Sequence, residues 1–325
     1  MKIDGFLLAM LGAVVLALAA PQLGTPEGPL RIGLATTLGI ALVFFLHGAN
    51  LSPQALKAGA TNWRIHIAVQ ASTFVVFPLI GFAIFFGLRG LLDYDVRLGL
   101  FFLCALSSTI SSSVALTSLA HGNVPAAVFD ASLSGIIGMA VTPALVAMVA
   151  AVGGHAFPIL PAIADVAVTL LLPFAVGQLA RPLIARWLAA RKPVINKLDR
   201  GVIILIVYGA FCESTTSGLW WRYSPWVIAG TALIAAVLLA LILVLTTYVA
   251  RLWRFPLADE VTTVFCGSKK SLANGAPIAK ILFAGNPALG MIVLPIMLYH
   301  QLQLITCSAL ARRYAARSED PGQAG

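Results

Sequence analysis

The stretch at residues 259–285, DEVTTVFCGSKKSLANGAPIAKILFAG, decides how this chain folds. It is mostly apolar and long enough to cross a membrane, yet Lys269 and Lys270 lie roughly 15–18 Å from one end and about 22–24 Å from the other. A lysine side chain does not reach the membrane surface from that depth. Each ammonium group costs about 2.5–3.5 kcal/mol there. Buried carboxylates, carbonyls of a broken helix or an anionic ligand must therefore compensate the two charges.

The composition places the chain among multi-pass membrane proteins. Of its 325 residues, 60% are hydrophobic and 10% are charged, and the mean hydropathy is +0.95. A soluble domain carries about 25% charged residues. Apolar runs long enough to cross about 30 Å of hydrocarbon predict ten spans. They lie near residues 4–21, 32–49, 65–88, 97–120, 124–151, 160–180, 201–219, 225–249, 259–284 and 289–311.

The first run could instead be a signal peptide, but Pro21-Gln22-Leu23 is a poor cleavage site, so we interpret it as a span. With ten spans and a cytoplasmic N-terminus, most of the 21 Lys and Arg residues lie on the cytoplasmic side, as the positive-inside rule requires. The sequence therefore predicts a protein of the cytoplasmic (inner) membrane with both termini in the cytoplasm. Its basic clusters are explained by contact with the lipid bilayer, so no nucleic-acid partner is expected. The oligomeric state stays open.

A second polar interruption lies at the centre of the fourth predicted span. Residues 107–113 contain six hydroxyl side chains in seven positions. One or two hydroxyls could bond within their own helix or assist helix packing. Six at mid-depth favour a local break in which hydroxyls and free carbonyls face a cavity. The predicted cation or coupling site comprises Ser108, Thr109, Ser111, Ser112, Ser113, Asp130, Ser134, Ser268, Lys269, Lys270 and Ser271.

Asp130 lies about 10 Å inside the fifth predicted span. A carboxylate at that depth is costly unless it is paired or functional, so we expect a functional role or a lysine partner. Five further polar residues are assigned to the substrate path: His47, Asn50, Glu213, Asn274 and His300.

Four of these residues have structural alternatives. His47 and Asn50 lie near a membrane boundary, where polar side chains are tolerated. Glu213 is either an acid of a vestibule or a group bonded to its Ser and Thr neighbours. His300 is either functional or a hydrogen-bonded interior histidine.

The ten spans divide into two sets of five, at residues 1–155 and 156–325. Because five is odd, the two sets would enter the membrane in opposite orientations. In each set the fourth span is interrupted, and each interrupted span is followed by Gly-Asn and a proline. Interrupted spans at corresponding positions are typical of secondary transporters with a site at the membrane midplane. The N-termini of half-helices would attract an anion there, and carbonyls and hydroxyls could hold a cation.

At these residues the chain resembles the bile-acid:sodium symporter superfamily, specifically its SBF-like branch of sodium-dependent transporters. The resemblance covers nearly the whole length and is most specific at residues 265–285, FCGSKKSLANGAPIAKILFAG. Shorter matches are FFLHGANLS at 44–52, SSSVALT at 111–117, LPFAVGQ at 172–178 and YGAFCES at 208–214.

The resemblance implies an all-α membrane fold with ten transmembrane helices in a 5+5 inverted repeat. A panel domain would contain spans 1, 2, 6 and 7, and a core domain would contain spans 3–5 and 8–10. Broken helices 4 and 9 would cross within the core, and an organic anion would bind between the two domains.

One departure concerns sodium. The well-known bile-acid symporters of this superfamily bind sodium through a glutamate of the ninth span. The corresponding segment here, Phe265-Cys266-Gly267 followed by Lys269-Lys270, contains no acid. We hypothesise that a lysine ammonium occupies the place of the sodium charge and pairs with Asp130 and with the oxygens of residues 107–113.

The sequence therefore predicts a secondary active transporter of a small organic anion that works by alternating access. Coupling to Na+ or H+ and sodium-independent transport are all compatible with this prediction. A non-transporting membrane regulator or sensor of the same fold is the alternative. No catalytic residue is predicted, because the histidines are scattered and no acids are paired. The cysteines show no metal spacing, so no cofactor is expected other than Na+ as a coupling ion.

Overall fold

The computed structural model describes residues 5–25, 28–152, 159–218 and 223–318. Regular secondary structure in these ranges is helical, as expected where the backbone must satisfy its own hydrogen bonds. The first eight helices are α1 Gly5–Ala19, α2 Ile32–Asn50, α3 Pro53–Gly59, α4 Trp63–Ala71, α5 Phe77–Gly87, α6 Tyr94–Ala105, α7 Ser111–Leu119 and α8 Val124–Val152. The others are α9 Ile159–Val166, α10 Leu172–Ala190, α11 Lys192–Thr216, α12 Pro225–Leu252, α13 Leu257–Ser268, α14 Leu272–Leu282 and α15 Leu289–Ser318.

Six helical segments are long and apolar enough to cross a membrane. They are Ile32–Asn50, Trp63–Gly87, Val124–Val152, Ala164–Ala190, Pro225–Leu252 and Leu289–Arg317. The other four predicted spans differ for physical reasons. Helix α1 is apolar but has 15 residues in the described part of the chain. Helix α11 begins with a charged segment, and the remaining two spans are divided by breaks. The protein is thus an all-helical, multi-pass membrane protein.

Two of the long segments contain a wide π-helical turn next to a proline. In the segment Trp63–Gly87, the Phe77 N–H donates to the Ser72 carbonyl, five residues back. The next residue, Pro78, has no N–H to donate. The Thr73 carbonyl is therefore left without a helical donor. The same arrangement recurs in the segment Ala164–Ala190, where the Leu172 N–H donates to the Ala167 carbonyl and Pro173 follows.

The two breaks lie where the sequence predicts polar interruptions. Helix α6 ends at Ala105 and α7 begins at Ser111, while α13 ends at Ser268 and α14 begins at Leu272. The linkers are extended, with φ/ψ of −72°/156° at Leu106 and −93°/149° at Lys269. The two linkers meet, because the Ser271 N–H donates to the Ser107 carbonyl over 2.9 Å. We call this contact, residues 106–110 with residues 269–271, the crossing.

The helices around the crossing pack in two sets. Helix α2 packs against α10 and α1 packs against α11, whereas α13 contacts α4, α7, α8 and α12. Glycines bring α2 and α10 very close together. A Cβ at Gly48 would overlap the Phe174 carbonyl, and one at Gly177 would overlap the Phe45 carbonyl. The two sets meet where α11 contacts α14 and α15.

Candidate functional site at the crossing of two broken helices

Lys270 is fully buried in the linker between α13 and α14. Its ammonium donates to the carbonyls of Leu106 at 2.6 Å, Cys104 at 2.8 Å and Thr73 at 3.1 Å. Cys104 and Leu106 belong to the C-terminal end of α6, where carbonyls lack helical donors and the helix dipole is negative. Thr73 is the residue whose carbonyl the π turn leaves free. The Phe77 ring lies 3.9 Å from the ammonium, so the charge also has a cation–π partner.

The backbone of Lys270 is held as firmly as its side chain. Gln303 of α15 accepts from the Lys270 N–H and donates to the Lys270 carbonyl, both over 2.9 Å. The Gln303 amide nitrogen also lies 3.0 Å from Nδ1 of His300. Gln303 is fully buried and therefore fixes the extended linker. Its position near the middle of a long apolar helix was the available sequence signal, but the sequence prediction did not include it.

Hydroxyl groups satisfy the C-terminal end of α13. The last four carbonyls of this helix each accept a hydrogen bond from a side-chain hydroxyl. The bonds run from Ser113 to Phe265 at 3.4 Å, Ser108 to Cys266 at 2.7 Å, Ser72 to Gly267 at 2.8 Å and Tyr299 to Ser268 at 2.6 Å. Hydroxyls that donate in this way are occupied as donors, so their first role at the crossing is to terminate a helix inside the bundle.

The other predicted polar residues also gather at the crossing. The Ser134 hydroxyl accepts from the Ser108 N–H at 2.9 Å, and the Ser271 hydroxyl accepts from the Asn274 N–H at 3.1 Å. Asn274 donates to the Ser107 hydroxyl at 2.9 Å, so it lies in the crossing. Two further contacts are local: Thr109 bonds the hydroxyls of Ser112 and Ser113, at 2.8 and 3.1 Å, and Ser268 donates to Val264 of its own helix at 2.6 Å.

Lys269 differs sharply from its neighbour. It is also fully buried, but its ammonium nitrogen makes no hydrogen bond to the described residues. The thiols of Cys266 and Cys307 are its titratable neighbours. An uncompensated buried charge is among the costliest groups in a protein interior. The Lys270 ammonium thus has three hydrogen-bond acceptors, whereas that of Lys269 has none among the described residues.

Asp130 does not pair with a lysine, so the pairing hypothesis is wrong in this structure. The carboxylate oxygen Oδ1 lies 3.0 Å from Nδ1 of His66 and 3.4 Å from the Gln70 amide nitrogen, which also donates to the Asp130 carbonyl at 3.0 Å. The other oxygen, Oδ2, is buried without a partner in the described chain. Lys270 instead uses backbone carbonyls, because the end of α6 supplies them at the crossing itself. His66 and Gln70 were missed because they lie on a different predicted span.

The residues of the predicted substrate path do not form one site. His47 of α2 lies 3.5 Å from Asp199 of α11, and Asn50 is exposed at the last position of α2. His300 of α15 lies 3.0 Å from the Gln303 amide nitrogen, and its ring is nearly perpendicular to that of Phe6.

Glu213 forms an ion pair that the sequence reasoning missed. Its carboxylate lies 2.9 Å from the Lys280 ammonium of α14. The alternative that the Glu213 side chain bonds to its Ser and Thr neighbours is therefore wrong. Lys280 was visible as a third lysine within the ninth predicted span, ten residues after Lys270, but no partner had been assigned to it.

The N-terminal ends of the two half-helices differ in exposure. Ile110, before α7, is 39% exposed, and Ser111 is also exposed. At α14 the corresponding Ser271 and Leu272 are buried. The positive end of α7 is therefore exposed, whereas that of α14 is buried. Among the described residues, no group of three or more His, Cys, Asp or Glu side chains is arranged to hold a metal ion.

Comparison with known proteins identifies the family. The sequence profile of the SBF-like CPA transporter family matches residues 4–316. The chain is 47% identical over 322 residues to "Uncharacterized protein PA2026" of Pseudomonas aeruginosa, covering 99% of this chain and 96% of the relative. It is 43% identical over 317 residues to "Putative symporter YfeH" of Escherichia coli, covering 98% and 94%. It is 28% identical over 311 residues to "Sodium/bile acid cotransporter 7" of Mus musculus, covering 94% and 91%.

These matches span the crossing and both sets of helices, and they agree with the branch that the residues at 265–285 resemble. The chain therefore belongs to the SBF-like CPA transporter family, within the bile-acid:sodium symporter superfamily.

Proposed function

We propose that this protein is a secondary active transporter that moves a small organic anion across the cytoplasmic membrane by alternating access. The observation that carries the proposal is Lys270, a buried cation held at the crossing by the end of α6 and the free Thr73 carbonyl. A fixed positive charge where two broken helices meet is suited to a midplane site for an anion. The names of two relatives, a symporter and a sodium/bile acid cotransporter, support transport as the activity.

The open end of α7 supports an anion as the cargo. A helix N-terminus carries unpaired N–H groups and the positive end of the dipole, which together favour negative charge. The exposed Ser111 and half-buried Ser112 add hydroxyl donors beside that end. The buried Lys270 raises the positive potential behind it. In this proposal a carboxylate or similar group binds at the α7 end, between a panel of α1, α2 and α9–α11 and a core of α4–α8 and α12–α15.

The proposal includes the ten-span topology. The two breaks would belong to spans four and nine of a 5+5 inverted repeat, with both termini in the cytoplasm. The equivalent positions of the breaks in residues 1–155 and 156–325 support this arrangement, and so does the distribution of Lys and Arg.

We further propose that Lys270 replaces a coupling cation. A sodium ion needs several oxygen ligands, and the carbonyl oxygens of Thr73, Cys104 and Leu106 are already used by the ammonium. The residues present therefore do not fit sodium at the position of the lysine. Transport would accordingly depend on a substrate gradient or a proton gradient.

A thermal melt of the detergent-purified protein in sodium and in choline buffer, at two pH values, tests the coupling. A ligand present at 100 times its dissociation constant stabilises the folded state by about 2.7 kcal/mol. We expect equal melting temperatures in the two salts. A sodium-specific increase would overturn the replacement of the cation and support sodium coupling.

Uptake of a mixed pool of radiolabelled organic anions into proteoliposomes, under imposed sodium or proton gradients, tests transport itself. We expect gradient-driven accumulation that is lost in Lys270→Gln. Specific binding of an anion without accumulation under any gradient would overturn transport and favour a sensor of the same fold.

A further inference from the structure

A groove of about 660 Å³ runs along the outer surface between the second halves of α12 and α15. Its walls are mainly apolar, with Leu243 and Val244 on one side and Leu310 on the other. The small side chains of Ala240 and Ala309 create the space between the two helices. Val244 is 68% exposed, so the groove opens towards the surroundings of the protein. Gln303, which holds the backbone of Lys270, also belongs to α15 but is fully buried and does not line the groove.

The length of the groove corresponds to one leaflet of a bilayer. From Ala240 to Arg251 the α12 wall contains twelve residues, and the eleven steps between them span about 16 Å at 1.5 Å per residue. Half of the hydrocarbon core is about 15 Å. The same end of the groove is lined by Arg251, in the last turn of α12, and by Arg313, in the C-terminal part of α15. Both guanidinium groups therefore lie at the depth of lipid headgroups.

The charges at this end favour an anion. Arg313 is exposed and has no ion pair within the described chain. The Arg251 guanidinium lies 3.3 Å from Glu260, but its side chain is 58% exposed and remains accessible from the groove. Glu260 is largely buried and also accepts from the Tyr314 hydroxyl at 2.9 Å. The lining residues include two arginines and no carboxylate.

We propose that this groove binds an anionic phospholipid, with one acyl chain along the apolar walls and the phosphate group between Arg251 and Arg313. Arginine binds phosphate oxygens through paired N–H donors, and basic pockets between transmembrane helices suit anionic headgroups. A second copy of this chain fits less well. In a symmetric dimer with its axis along the membrane normal, the arginines of the two copies would face each other at the same depth and repel.

Adjacent arginines on α15 provide a matched pair of variants. Arg312 and Arg313 are both exposed, but Arg313 lines the groove and Arg312 does not. Binding of phosphatidylglycerol and phosphatidylcholine to the full chain in detergent would be measured by native mass spectrometry. We expect the wild-type protein and Arg312→Gln to retain phosphatidylglycerol in preference to phosphatidylcholine. Arg313→Gln should bind phosphatidylglycerol about fivefold more weakly, the loss expected for one basic contact at a lipid surface.

A second pair of variants tests the acyl-chain part of the groove. Ala309→Leu fills the groove, whereas Ala316→Leu adds the same atoms at an exposed position of α15 outside the lining. We expect Ala309→Leu alone to reduce retention of phosphatidylglycerol. Ala309 is exposed, so a larger side chain there should not disturb the fold. Without added lipid, we therefore expect the Ala309→Leu and Ala316→Leu variants to have the same melting temperature.

Three outcomes would overturn the proposal. Equal retention of the two lipids by the wild-type protein, or equal losses in Arg312→Gln and Arg313→Gln, would remove the role of the headgroup. A dimer that Ala309→Leu dissociates would show that a second copy occupies the groove. These measurements do not involve transport, so their outcome neither supports nor contradicts the proposed function.

Discussion

At the scale of single residues, Lys269 and Lys270 have the same side chain in opposite surroundings. The ammonium of Lys270 has three carbonyl acceptors and an aromatic ring. That of Lys269 has no hydrogen-bond partner in the described chain. Adjacent residues in the extended linker point in different directions, so only one of the two reaches the end of α6. Lys270 therefore stabilises the crossing, whereas burial of Lys269 lowers the stability of the fold.

Replacing each lysine by methionine should separate these two roles. Lys270→Met leaves buried carbonyls without donors, so we expect destabilisation by at least about 1–3 kcal/mol. Lys269→Met removes an unpaired buried charge at similar volume and should be neutral or stabilising. Thermal melts of the two purified variants against the wild-type protein measure the difference. Equal destabilisation by both substitutions would show that Lys269 has a partner of comparable strength.

At the scale of elements, the two helix breaks are satisfied by different chemistry. At the end of α6, the Lys270 ammonium donates hydrogen bonds to two carbonyls. The Thr142 hydroxyl donates to a third, the carbonyl of Ala105, at 2.8 Å. At the end of α13, the last four carbonyls each accept a hydrogen bond from a side-chain hydroxyl. Both solutions satisfy backbone groups that have no water to bond with inside a membrane. Lys270 therefore caps the end of α6, and the Ser108 and Ser113 hydroxyls help to cap the end of α13.

Helix packing away from the crossing depends on two glycines. A Cβ at Gly177 would overlap the Phe45 carbonyl of α2, so Gly177→Ala should push α2 and α10 apart. Overpacking of this kind costs about 1–3 kcal/mol. Gly230→Ala is the matched control, because no atom lies within 4 Å of the added Cβ. That substitution should stabilise α12 by about 0.5–1 kcal/mol. The stability of both variants is measured by thermal melts. Equal melting temperatures for Gly177→Ala and Gly230→Ala would contradict the close packing of α2 against α10.

At the scale of the whole molecule, the two helix sets are joined by a polar contact between α11 and the α14–α15 region. Glu213 pairs with Lys280 at 2.9 Å. The Ser214 hydroxyl donates to the Pro287 carbonyl at 2.9 Å and accepts from the Gly290 N–H at 3.0 Å. A cavity of about 310 Å³ adjoins the ion pair. If the two sets rock against each other during transport, this contact must open in each cycle.

Exchanging the charges tests whether Glu213 and Lys280 act as a pair. Glu213→Lys and Lys280→Glu each place like charges together, and we expect each to lose at least about 1.5–3 kcal/mol, the worth of a charged hydrogen bond. The double variant should recover much of that loss. Thermal melts of all four proteins give the coupling free energy. Additive losses in the double variant would show that the two residues act independently.

Much of the architecture was predictable because it depends on local composition. Long apolar runs require helices, and polar side chains in their centres require breaks, since unpaired charges and backbone groups are too costly in hydrocarbon. The breaks at residues 107–113 and 266–271 were therefore visible, as were most residues that meet at the crossing. Their equivalent positions in two sets of five spans suggested that they would come together.

The sequence by itself determined the membrane class, the helical architecture and the two breaks, because each follows from residues within one span. The tertiary structure alone decided which lysine is compensated, that carbonyls rather than Asp130 compensate it, and that Glu213 pairs with Lys280. The partners of these groups lie 64 to 197 residues away in the chain. Such pairs form only where helix packing brings their atoms within about 3 Å. The pattern of residues within one span does not show which groups on other spans come that close.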